Sequence, residues 1–160
     1  MTVRAFPSRR SSGWQETSGR AVVFESVEDM TDRAIGWIQQ QKALAPDKPF
    51  FTYFAPGATH APHHVPKEWA DKYKGKFDAG WDVLREETFA RQKKLGVIPA
   101  DTQLAPWPKD ILKPWDELDA ESKKLFIRQV EVFAAYAAYN DHEIGRIIDA
   151  IDEMGKLDNT

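Results

Sequence analysis

Within the stretch FAPGATHAPHH (54–64) the chain places three of its four histidines, His60, His63 and His64. An imidazole titrates near neutral pH, so it can donate to an anionic oxygen or exchange a proton with a reacting group. His60 lies just past the apolar run Phe50–Phe54. Open α/β sheets bind their ligands beyond the carboxyl ends of such runs when the runs are strands. His60 is therefore the candidate catalytic and substrate-contacting residue, and His63 is a second candidate for substrate contact. A loop histidine bonded to nearby backbone fits the position of His60 equally well. His63 and His64 otherwise shape the loop or its rim.

Other chemistries fit the residues less well. A zinc site needs three or four ligands converging on a tetrahedron. Pro62 interrupts any regular spacing among the histidines, and the chain has no cysteine. The absence of cysteine also removes disulfides and thiol nucleophiles and leaves the redox compartment open. Glu86 with Glu87, and Asp149 with Asp152, fall on expected helices, where a solvent-facing carboxylate is the ordinary reading. Trp37, Trp69, Trp81 and Trp107 sit at helical spacing or in turns, which favours packing over a sugar-binding platform. No P-loop, GxGxxG, GxSxG or HExxH pattern occurs.

The elements that must position these histidines are legible from period and punctuation. Ser26 with Asp29 resembles the start of a helix. Met30, Ala34, Trp37 and Ile38 then share one face, until APDKP (45–49) stops the pattern. Phe50 to Phe54 is short, aromatic and apolar on both faces, as a central strand covered on both sides would be. A short helix is expected over VPKEWADKYK, with Pro66 at its entrance and Gly75 at its exit. A longer one is expected over 80–96, closed by Gly96. A proline-rich stretch follows, anchored by Ile98, Leu104, Trp107, Ile111 and Trp115. Asp119 opens the longest helical pattern, whose stripe is Phe126, Val130, Phe133, Ala137, Ile144, Ile148 and Ile151. Asn140 and Asp141 interrupt that stripe, either buried and paired or capping a break between two helices. Gly155 is placed as its terminator.

Composition bounds the class. The 160 residues are 42% hydrophobic and 29% charged with a net charge of −3, as in a globular domain. Interspersed acids and bases leave no nucleic-acid footprint. No apolar run approaches the ~20 residues that span a bilayer, so no membrane partner is expected. Residues 1–24 are expected to be a disordered or non-native tail. The helix–turn–strand order implies an α/β layered fold. A two-sided strand needs neighbours, and only AVVF (21–24) offers itself, so residues 25–160 are expected to be an incomplete part of a larger α/β domain.

The residues also carry a resemblance. The segment from KPFFTYFAPGATHAPHHVPKEW through FARQKKLGVIP closely resembles the middle of bacterial arylsulfatases, in the alkaline-phosphatase-like superfamily. The similarity extends from EDMTDRAIGWIQQQKALAPDKPFF to YNDHEIGRIIDAIDEMGKLDNT. It implies a partial sulfatase domain of α/β class, with one clear central strand and several helices. It also implies a small-molecule sulfate ester as substrate, formylglycine as nucleophile and calcium in the intact enzyme. His60 matches the family histidine that contacts the ester near its leaving-group oxygen.

No other catalytic position carries across. Asp158 and Asn159 look like a metal-ligand pair of the family but precede the strand that would bear it, so no metal ligand is assigned to this chain. AFPSR (5–9) has the outline of the formylglycine motif, with Ala5 where the oxidised residue belongs. The chain alone is therefore expected to be inactive, to bind no calcium and to have the remainder of the sulfatase domain as its partner. The alternatives are a related phosphodiesterase or phosphonate hydrolase, and a non-catalytic helical interaction module.

Overall fold

A computed structural model describes residues 27–108 and 110–160. The tail expected over 1–24, the AVVF run, the AFPSR outline and the helix start at Ser26 lie outside the described residues. Four helices order the rest: α1 (Val27–Leu44), α2 (Lys67–Asp71), α3 (Gly80–Lys94) and α4 (Ala120–Glu153). Short 3₁₀ turns at Trp115–Glu117 and Leu157–Asn159 flank α4. The long helix is the axis of the structure: α1, α2 and the last turn pack on it, while α3 packs on the turn at Trp115. No helix among the described residues is long and apolar enough to cross a membrane.

Local signals explain where these helices begin and end. The Asp119 carboxylate accepts the Ser122 N–H at 2.8 Å, satisfying one of the amide donors that a helix start leaves free. Gly96 and Gly155 follow the ends of α3 and α4 with φ of +71° and +64°, the left-handed conformation that terminates helices. α1 buries Val27, Thr31 and Ile38 in one stripe; of the face expected from Met30, Ala34, Trp37 and Ile38, Ile38 is buried and the other three are half-buried. Asn140 and Asp141 make no break, and α4 runs through them.

Two expectations are corrected. Phe50 to Phe54 is not a strand, and no strand occurs among the described residues. Burial alternates along it: Phe51 and Tyr53 are 80% and 83% exposed, whereas Phe50, Thr52 and Phe54 are half-buried. The period of two is that of extended chain, but a strand also needs a ladder partner, and none of the described segments supplies one.

The second correction concerns α4. Its expected stripe is largely uncovered, with Phe133, Ile144 and Ile148 36–46% exposed. The face that packs carries Glu131, Ala135, Tyr136, Tyr139, Glu143, Ala150 and Ile151. Small alanines let α1 and α2 approach, tyrosines fill the remaining space, and each glutamate is matched by an arginine. α4 is thus apolar on one side and closely packed on another. Ile111, expected as an anchor of the proline-rich stretch, is 88% exposed.

Candidate functional site

The loop after Phe54 presents His60 outward. Its backbone N–H closes a turn on Gly57 O at 2.8 Å, and the side chain is exposed. Nδ1 lies 2.7 Å from Ala61 O. A carbonyl oxygen only accepts, so the ring proton belongs on Nδ1 and Nε2 is the atom left for outside partners. One nitrogen of His60 therefore shapes the loop, and Nε2 makes no hydrogen bond among the described residues. The peptides Ala58–Thr59 and Ala61–Pro62 on either side are cis.

His63 turns the other way. Its ring meets Phe133 edge-on with centroids 5.4 Å apart and lies 5.9 Å from Tyr136, both on α4. The same imidazole forms part of the wall of a cleft of about 520 Å³ between the loop, α3, the Trp115 turn and α4. His60 does not line that cleft, so the structure does not bring the two candidates into one pocket. His64 is exposed.

The cleft walls are held by hydrogen bonds. Trp81 donates its indole N–H to Lys113 O at 3.2 Å, and the Asp82 carboxylate accepts the Trp115 N–H at 2.9 Å. Trp81 meets Trp115 edge-on at 4.9 Å and Phe126 at 5.4 Å. Gly80 allows the approach, because a Cβ there would lie 2.2 Å from Trp115 Cγ, and its φ is +84°. Trp81 and Trp107 thus serve as packing anchors, the latter donating to Leu112 O at 2.8 Å.

Two buried polar stations on α4 were not singled out from the sequence. Glu131 is 3% exposed; it accepts the Gly75 N–H and Arg128, each at 2.9 Å. Arg128 reaches on to Asp71 of α2. Glu143, 2% exposed, accepts Arg146 at 2.6 Å, and Arg146 reaches on to Asp32 of α1. Beside it Tyr139 donates to Glu28 at 3.2 Å. Burial, then the negative charges of Glu143 and Glu28, push the Tyr139 phenol well above its ordinary value. The signal available in the sequence was the three-residue spacing of arginine and glutamate on a helix.

No group of three or more histidines, aspartates or glutamates among the described residues could hold a metal ion. The described residues therefore do not fit the calcium that the resemblance implies. His60, His63 and His64 form no zinc cluster either. Glu86, Glu87, Asp149 and Asp152 are exposed, as expected.

Comparison with known proteins places this sequence in a family. A family model described as sulfatase matches residues 3–160. An uncharacterized sulfatase of Schizosaccharomyces pombe is 42% identical over 123 residues, covering 77% of this chain and 22% of that protein. The arylsulfatase of Klebsiella aerogenes is 32% identical over 137 residues, covering 86% of this chain and 28% of that protein. A sulfatase of Formosa agariphila is 21% identical over 128 residues. The chain spans about a quarter of the length of the curated relatives it matches. With the family model matched along nearly its whole length, the chain belongs to the sulfatase family.

Proposed function

We propose that this chain is the central part of an arylsulfatase and that His60 is its catalytic contribution to sulfate-ester hydrolysis. The observation that carries the proposal is the free Nε2 of an exposed His60, oriented by Nδ1 at Ala61 O, within the segment that resembles arylsulfatases. In the protonated state Nε2 donates to the oxygen that bridges sulfur and the alcohol. As the nucleophile of the intact enzyme bonds to sulfur and the ester S–O bond breaks, that proton passes to the departing alcohol oxygen. The neutral ring then takes a proton back from solvent. The nucleophile and the calcium ion belong to the intact enzyme and are not placed on these residues, so the isolated chain is expected to turn over no ester. Its partner is the remainder of the sulfatase domain.

The test is anion binding observed at each histidine. Inorganic sulfate is titrated into the chain, with sodium chloride at matched ionic strength as the control, and the imidazole resonances are followed by NMR. Sulfate is expected to move the His60 signals saturably and to leave those of His64 in place. Equal responses to sulfate and chloride would remove His60 from the site.

A further inference from the structure

The uncovered side of α4 is symmetric about one residue. Val130 and Ile144 lie seven residues to either side of Ala137, and Phe126 and Ile148 lie 11 to either side. A repeat of seven keeps such positions on one face, as in the seam of a coiled coil. The two halves meet solvent differently. Ala137, Ile144 and Ile148 are exposed, the isoleucines at 36% and 46%. Phe126 and Val130 instead line the open cleft of about 520 Å³ beside His63, which Trp81, Leu84 and Trp115 complete. No lysine, arginine, aspartate or glutamate lines that cleft. One half of the stripe is therefore an apolar recess, and the other is a pair of apolar knobs.

Charge follows the same symmetry with its sign reversed. Lys123 stands 14 residues before Ala137, and Asp152 stands 15 after it. The 29 residues between them are about eight whole turns, so both lie on one flank of the stripe. Neither forms an ion pair among the described residues.

We infer that two copies of this chain form a two-fold dimer through α4, with the helices antiparallel and crossing at Ala137. The symmetry sets Ile144 and Ile148 of each copy opposite Val130 and Phe126 of the other, at the mouth of its cleft. A parallel pair would set recess against recess and knobs against knobs. Antiparallel copies of one helix bring like flanks together, so Lys123 of each copy faces Asp152 of the other. At the axis identical side chains meet, and the small Ala137 permits the close approach. The inference concerns the surface of the chain and does not rest on the sulfatase reading.

Sedimentation equilibrium of the full chain across the micromolar range is expected to show monomer and dimer. Ala137→Arg puts two like charges on the axis and should weaken the dimer at least tenfold. Ala137 is exposed, so the variant should fold, which circular dichroism checks. Lys123→Glu should weaken the dimer about threefold, as expected of surface ion pairs. Adding Asp152→Lys exchanges the two charges and should restore wild-type affinity. Phe51→Ser with Tyr53→Ser removes exposed aromatics elsewhere and should change nothing. The inference is overturned if wild type is monomeric or assembles beyond the dimer, or if folded Ala137→Arg dimerises as wild type. It is equally overturned if the serine variant loses the dimer or the charge exchange fails to restore it. Failure of the sulfatase reading shows elsewhere, as a His60 resonance indifferent to inorganic sulfate.

Discussion

Glu131 and Glu143 are the two glutamates that α4 buries, and from a distance their surroundings are alike. Each is nearly inaccessible, each has an arginine three residues away on its own helix, and each arginine continues to an aspartate on an earlier helix. Twelve residues separate them, so they point about a third of a turn apart and face different neighbours. The difference lies in what else each carboxylate holds. Glu131 also accepts the amide of Gly75, a backbone donor that side-chain changes leave in place. At Glu143 the donor among the described residues is Arg146. A buried carboxylate with two independent donors tolerates the loss of one, whereas a carboxylate with a single donor is left uncompensated.

That contrast sets the largest expected effect. Arg146→Ala strands the Glu143 charge and should destabilise the chain by roughly 1–3 kcal/mol, less than a fully buried pair would lose because Arg146 is itself partly exposed. Arg128→Ala leaves Glu131 its Gly75 amide and should lower the melting temperature less. Thermal denaturation of both single variants and of the double variant checks the comparison. The sites are ~18 Å apart along the helix, so their effects should add. Equal losses in the two single variants would erase the distinction between the stations.

The two stations should also report at opposite ends of the pH scale. Near Glu131, the hydrogen bond from Lys67 and then its charge hold Asp71 below its ordinary carboxylate value, with Arg128 adding to this. A lowered folded value contributes stability that is present above the ordinary carboxylate range and is lost as pH falls through the lowered one. Near Glu143, the Tyr139 phenol is raised. Its stability is complete below the ordinary phenol value near 10 and declines above it, as the unfolded chain gains the option to ionise. Tyr139→Phe should remove that alkaline decline and cost about 1 kcal/mol at neutral pH through the lost bond to Glu28. Denaturant melts of wild type and variant at pH 7 and above pH 10 give both numbers.

Features decided within a few residues were legible from the chain. Asp119 as a helix start and Gly96 and Gly155 as helix ends depend on local donors and backbone conformation. Features decided by neighbours were not. Period favours the most hydrophobic face of α4, yet the packed face is the one where Ala135 and Ala150 permit close approach and two glutamates find arginines. Phe50 to Phe54 has the composition of a strand, but composition cannot supply a ladder partner. The site divides in the same way. The loop and its histidines could be found by residue type, while the separation of His63 from His60 depends on Phe133 and Tyr136, rings some seventy residues later.

The smallest expected effect sharpens that separation. His63→Ala removes the edge contact with Phe133 and the tilted contact with Tyr136, and should cost roughly 0.5–1 kcal/mol of stability. His60→Ala removes an exposed ring whose bond to Ala61 O is local to the loop, so its stability should stay within about 0.5 kcal/mol of wild type. Urea melts measure the pair, and the sulfate titration supplies the converse reading. His60→Ala should abolish the sulfate-dependent changes in the loop resonances, whereas His63→Ala should retain them at reduced stability. One imidazole then serves the packing of the loop against α4 and the other serves what approaches from solvent. If instead both variants lost stability equally, the outward ring of His60 would be a structural part of the loop. Its free nitrogen would then have no claim on the ester.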